Sequence, residues 1–106
     1  MRTGRISLNR WVELCCTNPA KLFGCYPKKG AIAPGADADI VVWDPEQKRT
    51  ITAAAQHQNT DYNLYEGWEV TGAPSIVLSR GRVLVDGDTW KGEQGAGQFV
   101  ARRGTL

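Results

Sequence analysis

The sequence predicts a mainly β chain led in by two short α-helices, and three observations carry that prediction. Apolar residues fall at helical spacing only before Gly24, whereas β-branched runs such as Ile40-Val41-Val42 and Ile76-Val77-Leu78 begin after Lys29. Turn dipeptides separate those runs, notably Pro34-Gly35 and Arg80-Gly81. The stretch Lys29 to Asp44 is where one pattern gives way to the other.

The first helix follows from Leu8, Trp11, Val12 and Cys15, whose i, i+3, i+4, i+7 spacing puts them on one face. Ser7 is a suitable N-cap, and Ile6 and Trp11 are placed as a hydrophobic staple. The helix is expected to end near Thr17, because the residue before Pro19 is pushed out of helical geometry. A second short helix then restarts with Asn18 as cap and Pro19 in its first position, and Gly24 closes it.

Gly30 and Pro34-Gly35 bend the chain, leaving Ala31-Ile32-Ala33 as a strand start of a few paired residues at most. Asp39 to Asp44 carries four consecutive apolar residues, which suits a strand buried on both faces. Pro45 removes a backbone donor and is expected to end it at about Asp44. Arg49 to Thr52 reads as a second strand beside the first, joined by the turn Asp44-Pro45-Glu46-Gln47. Ala53 to His57 reads as a helical turn, and Asp61 to Trp68 as a polar-aromatic segment broken by Gly67. Loops of that length are often functional or lie at interfaces. Ser75 to Ser79 and Arg82 to Val85 form a hairpin across Arg80-Gly81, after which Asp86-Gly87-Asp88 turns toward a short strand at Thr89 to Lys91. Residues 92–106, with four glycines and one apolar pair at Phe99-Val100, read as an extended tail that docks on something.

Composition narrows the function classes. At 106 residues there is room for one small domain or part of a larger one. A net charge of +2, with basic residues scattered, gives no nucleic-acid footprint. The basic start Met1 to Arg5 lacks the apolar run of a secretory signal, and no segment is apolar for long enough to span a bilayer, so a cytoplasmic location is the default expectation. Cys15, Cys16 and Cys25 are odd in number and lack Cys-x-x-Cys spacing, which disfavours a disulfide framework or zinc site and points to small buried thiols.

Candidate chemistry is sparse. His57 is the single histidine, so a zinc site would need cysteines or carboxylates to join it. A Cys25 and His57 pair is a nucleophile candidate, against the commoner reading of an unactivated thiol. The tail glycines lack the Lys-Ser/Thr of a phosphate loop. Asp37 and Asp39 read as turn and strand-edge carboxylates rather than metal ligands. Glu66 with Glu69, and Asp86 with Asp88, read as solvated or capping carboxylates rather than acid-base pairs.

Five segments together carry a family resemblance: Gly4 to Arg10, Thr17 to Gly24, Lys29 through Pro45, Asp61-Tyr62-Asn63 with Glu66-Gly67, and Ser79-Arg80-Gly81. In this order they resemble the C-terminal portion of the D-hydantoinase and dihydropyrimidinase family, metal-dependent amidohydrolases. The Asp-Tyr-Asn and Glu-Gly segment and the tail with Arg102-Arg103 narrow the resemblance to the hydantoinase branch.

The resemblance implies a cyclic amidase that opens hydantoins or dihydropyrimidines with a hydroxide held between two zinc ions. It implies a TIM barrel with a small β-sandwich built from both chain ends. On that reading residues 1–28 are the terminal helices of a missing barrel, 29–91 the C-terminal part of the sandwich, and 92–106 the tail. The family's metal ligands and substrate loops lie upstream, so no catalytic, metal or substrate-binding residue carries over, and Met1 stands where a longer chain would run through. A structural or assembly role is then expected, with self-association through unpaired strands or the tail. Tyr62, Tyr65, Trp68, Phe99, Arg102 and Arg103 are the candidate subunit-interface residues. Two other readings are an independent β-rich interaction module and the end of a non-enzymatic dihydropyrimidinase-related scaffold protein.

Overall fold

A computed structural model describes residues 3–104. The helical lead-in is one continuous helix over residues 8–22 rather than two: α1 (Leu8–Val12) passes through a π-helical turn (Glu13–Thr17) into α2 (Asn18–Leu22). Ser7 caps it as expected, its Oγ accepting from the Arg10 N–H at 3.1 Å. Asn18 does not break the helix. It keeps helical angles (φ −65°, ψ −45°), and its N–H reaches back five residues to the Glu13 carbonyl. That wider turn makes room for the Pro19 ring, which would otherwise crowd the preceding turn. Thr17 makes no cap; its Oγ1 donates instead to the Gly30 carbonyl at 3.0 Å.

The helix ends at Gly24 (φ 72°), where the Cys25 N–H donates to the Ala20 carbonyl at 2.8 Å and the Gly24 N–H to the Lys21 carbonyl at 3.1 Å. That bond pair is a Schellman closure. The following loop returns so closely over the helix that a Cβ at Gly30 would lie 2.5 Å from the Ala20 Cβ and 2.7 Å from the Cys16 carbonyl oxygen. Only glycine fits there. The Pro34-Gly35 turn forms, with the Ala36 N–H on the Ala33 carbonyl at 3.0 Å, but residues 31–33 pair with no strand and Ile32 is 82% exposed.

Four antiparallel strands follow in the order β1-β2-β3-β4: β1 (Ile40–Thr50), β2 (Glu69–Ser79), β3 (Arg82–Asp86) and β4 (Thr89–Trp90). Strand β1 does not stop at Pro45, and the expected separate strand at Arg49 is its continuation, with Arg49 opposite Val70 and Thr50 opposite Glu69. The proline is tolerated because β1 is an edge strand and Pro45 falls in a bulge between Asp44 and Lys48. The Asp44 Oδ1 shapes that bulge by accepting from the Glu46 N–H at 2.9 Å. Pro74 sits within central β2 at a second irregularity, opposite Trp43.

The β2–β3 hairpin turns at Arg80 (φ 48°) and Gly81 (φ 79°), both left-handed as a type I′ turn requires. Residues 53–55 form the expected helical turn as a 3₁₀ segment, capped by the Thr52 Oγ1 on the Ala55 N–H at 3.3 Å.

Helix and sheet meet through Trp11 and Trp43, ring centroids 5.0 Å apart and edge to face. Little else is enclosed. Among the described residues only Ala20 (8% exposed) and Ala73 (2%) form a buried apolar core. The strand expected to be buried on both faces leaves Val41 55% and Val42 47% exposed, and Cys15 and Cys16, expected inside, lie at the surface. Both corrections have one cause: among the described residues no further element packs over Val41, Val42 or the Cys15-Cys16 side of the helix.

Candidate functional site

The most connected polar group in the structure is the carboxylate pair of the entry into β1. The Lys28 Nζ lies 2.8 Å from the Asp37 Oδ1, and the Lys29 Nζ lies 2.8 Å from the Asp37 Oδ2 and 2.5 Å from the Asp39 Oδ2. The other Asp39 oxygen accepts from the Arg80 backbone N–H at 2.9 Å, while the Gly81 N–H donates to the Ala38 carbonyl at 3.0 Å. The cluster therefore ties the loop after the helix, the start of β1 and the β2–β3 turn into one knot.

Charge pairing sets the titration of these groups. Hydrogen bonds from Lys28 and then Lys29 hold the Asp37 carboxyl below its ordinary value. Partial burial pushes Asp39 up, but the Lys29 ammonium and the Arg80 N–H outweigh it and the carboxyl is lowered. Burial would likewise lower Lys29, yet its two carboxylate partners raise it. All three groups stay charged near neutral pH. They serve as structural ion pairs, with carboxylate oxygens already committed to cations and a backbone donor.

The polar-aromatic segment is organised around Glu66 and Gly67. The Glu66 Oε2 accepts from the Ala53 N–H at 2.6 Å, which makes it a capping carboxylate, and the Gly67 N–H donates to the Ile51 carbonyl at 2.8 Å. The Asn63 Oδ1 accepts from the Tyr65 N–H at 2.9 Å. This folding brings Tyr65 and Trp68 edge to face at 5.4 Å and leaves Tyr62, Tyr65 and Trp68 exposed.

His57 and Cys25 make separate contacts. The imidazole lies 5.1 Å from the Trp90 ring, and the Cys25 Sγ donates to the Phe23 carbonyl at 3.7 Å. Among the described residues no hydrogen bond joins the His57 imidazole to the Cys25 thiol.

The tail docks on its own chain. Glu93 pairs with Arg82 at 2.7 Å, the Arg80 guanidinium donates to the Ala96 carbonyl, and the Arg103 N–H donates to the Gly24 carbonyl at 2.8 Å. The approach at Gly24 is so close that a Cβ there would lie 2.4 Å from the Arg103 carbonyl oxygen. No sequence signal marks that contact, because it joins residues nearly eighty positions apart. Between tail and hairpin lies a cavity of about 340 Å³, lined by Lys29, Arg80, Arg82, Leu84 and Trp90 among others. Phe99 borders this cavity and is nevertheless 94% exposed, and Arg102 and Arg103 are exposed.

Taken together, the described residues build a sheet, a helix and a set of structural ion pairs, with no group of three His, Cys, Asp or Glu side chains placed to share a metal ion. No helix among them is long and apolar enough to cross a membrane.

The match to known proteins agrees on which family. The model of the "Amidohydrolase family" matches residues 1–84. The D-hydantoinase of Ralstonia pickettii is 53% identical over 100 residues, covering 94% of this chain and 22% of that protein. The dihydropyrimidinase of Rattus norvegicus is 45% identical over 103 residues, covering 97% of this chain and 20% of that protein. A solved structure of D-hydantoinase superposes with a TM-score of 0.92 at 52% identity, covering 96% of this chain and 22% of that one. The chain belongs to the amidohydrolase family, in its D-hydantoinase and dihydropyrimidinase branch. It spans about a fifth of the length of the curated relatives it matches.

A pair of catalytic zinc ions, as the family resemblance implies, needs converging imidazoles and carboxylates with free lone pairs. The residues here do not fit it. Asp37 and Asp39 are neutralised by lysines, and His57 rests on Trp90.

Proposed function

We propose that this chain is a structural segment of a hydantoinase-type cyclic amidase, whose ring-opening chemistry resides elsewhere on a longer polypeptide. In this reading residues 1–28 are the closing helices of a TIM barrel, 29–91 the C-terminal share of a small β-sandwich and 92–106 a docking tail. Hydrolysis of the cyclic amide of hydantoins or dihydropyrimidines, with two zinc ions, belongs to the whole enzyme. The segment contributes stability and assembly. Its unpaired thiols suit a reducing compartment, and we place it in the cytoplasm.

The observation that carries this reading is the surface. At 11.6 kDa a folded monomer is expected to expose about 5,800 Å², and this chain exposes 8516 Å², an excess of roughly 2,700 Å². Leu8, Val12, Leu22, Phe23, Val41 and Trp68 are among the side chains left in water. Large apolar side chains exposed together in this way mark a surface that another element or chain covers. In the isolated chain we expect homo-oligomers through unpaired strands or the tail, with Tyr62, Tyr65, Trp68, Phe99, Arg102 and Arg103 as candidate interface residues.

The purified chain, incubated with zinc, tests the catalytic half of the reading. Neither hydantoin nor dihydrouracil is expected to be opened, and metal analysis after dialysis is expected to find no stoichiometric zinc. Ring opening that saturates with substrate, or two retained zinc ions per chain, would overturn it.

A further inference from the structure

We infer that residues 92–104 are a strap tying the end of the helix to the β2–β3 hairpin, and that Arg80 is its latch. The inference deepens the docking role proposed above for the tail and names the two seats on which it docks, both within this chain.

Arg80 stands out by its backbone. Among the described residues it alone takes a positive φ (48°) without being glycine. The first central position of a type I′ turn suits glycine, asparagine or aspartate, and a long side chain there carries a backbone cost. What an arginine adds is found at its two ends. Its backbone N–H donates to the Asp39 carboxylate at 2.9 Å, and its guanidinium donates to the Ala96 carbonyl. Glycine at this position would keep the first bond and lose the second. Only the hold on the tail needs the side chain.

The strap is seated at discrete points rather than packed along its length. Residues 92–104 form no helix or strand, and between hairpin and tail lies the cavity described above, with Phe99 at its border and 94% exposed. At the hairpin the Arg82–Glu93 pair has both side chains more than half exposed, where an ion pair holds weakly. The Arg80 bond to Ala96 is partly buried and charge-assisted, which makes it the stronger tie. At the helix the Arg103 N–H donates at 2.8 Å to the carbonyl of Gly24, just past the helix end where carbonyls lack partners of their own. Any side chain at Gly24 would collide with the Arg103 carbonyl, so the seat is open only to glycine.

The two seats lie on different elements, and their separation gives the strap its purpose. The Trp11–Trp43 ring pair ties the helix to the sheet near the helix start. Gly24 lies about 20 Å further along, at about 1.5 Å per residue. A tie at each end fixes the direction of the helix over the sheet, where one tie leaves it free to swing.

The test uses the full 106-residue chain and its Arg80→Gly variant, at the same low concentration, with amide hydrogen exchange read by NMR. In the parent chain the Arg103 amide is expected to be protected. In Arg80→Gly it is expected to exchange about tenfold faster or more, while the Gly81 and Gly87 amides of the hairpin and its following turn keep their protection. Trypsin is expected to cut after Arg102 severalfold faster in the variant. An Arg103 amide that exchanges in the parent as in an unstructured peptide would overturn the strap and the docking role together. Equal protection of Arg103 in both chains would leave docking standing and overturn the latch. Loss of Gly81 protection in Arg80→Gly would overturn it too, by showing that the side chain holds the hairpin itself.

Discussion

Gly30 and Lys29 are adjacent, and between them they fix how the helix meets the sheet. Gly30 lies against Ala20 and the Cys16 carbonyl at φ 79°, so Gly30→Ala adds both a clash and left-handed strain. We expect a loss of about 1–3 kcal/mol in chemical denaturation; a loss within error would mean the loop does not seat on the helix. Lys29 joins Asp37 and Asp39, and the shifts give its pH signature. The lowered carboxyls contribute stability that is present above their ordinary value of 3.8 and lost as pH falls through the lowered one. The raised ammonium contributes stability present below 10.5 and lost as pH rises through the elevated value. A melting-temperature profile should be flat between these limits, and Lys29→Met should lower that plateau, less so at high salt. A plateau unmoved by Lys29→Met would show that the cluster is ornamental to stability. The sequence suggested turn and strand-edge roles for Asp37 and Asp39, but their lysine partners lie eight to ten positions upstream and only the folded loop brings them near. The cysteines were misplaced for a different reason. Burial was inferred from residue type, whereas it depends on whether a neighbour exists to cover them.

At the scale of elements, local chemistry was legible and its limits were steric. Ser7 as N-cap, Gly24 as helix end, Pro34-Gly35 and the Arg80-Gly81 hairpin all depend on bonds within a few residues, and all form. The two proline rules failed together. Pro19 is accommodated by a π turn and Pro45 by a bulge on an edge strand, and both accommodations depend on the geometry of the surrounding element rather than on the dipeptide. Ser7→Ala should cost about 1 kcal/mol of stability, read in urea melts. Trp11→Ala removes the aromatic pair that anchors the helix to β1, and should cost about 2 kcal/mol or more with a loss of helical signal in far-UV circular dichroism. Retained helicity and stability in that variant would place the anchor elsewhere.

For the whole molecule, the family and the mainly β plan were readable from the five matched segments, but the degree of exposure was not. A sequence states which residues are apolar; it does not state how much of what they pack against lies on the same chain. Here the radius of gyration is 15.6 Å, where a compact domain of this length is expected near 13 Å. Among the described residues Val41 and Val42 of β1, Leu8 and Leu22 of the helix and Phe99 of the tail are exposed, and only Ala20 and Ala73 are buried apolar residues. An amidohydrolase segment with this surface should not persist as a single compact copy. Sedimentation equilibrium of the purified chain over a wide concentration range is the most direct check. The account predicts a weight-average mass that rises above 11.6 kDa with concentration. A single ideal species of that mass at the highest concentration would contradict it.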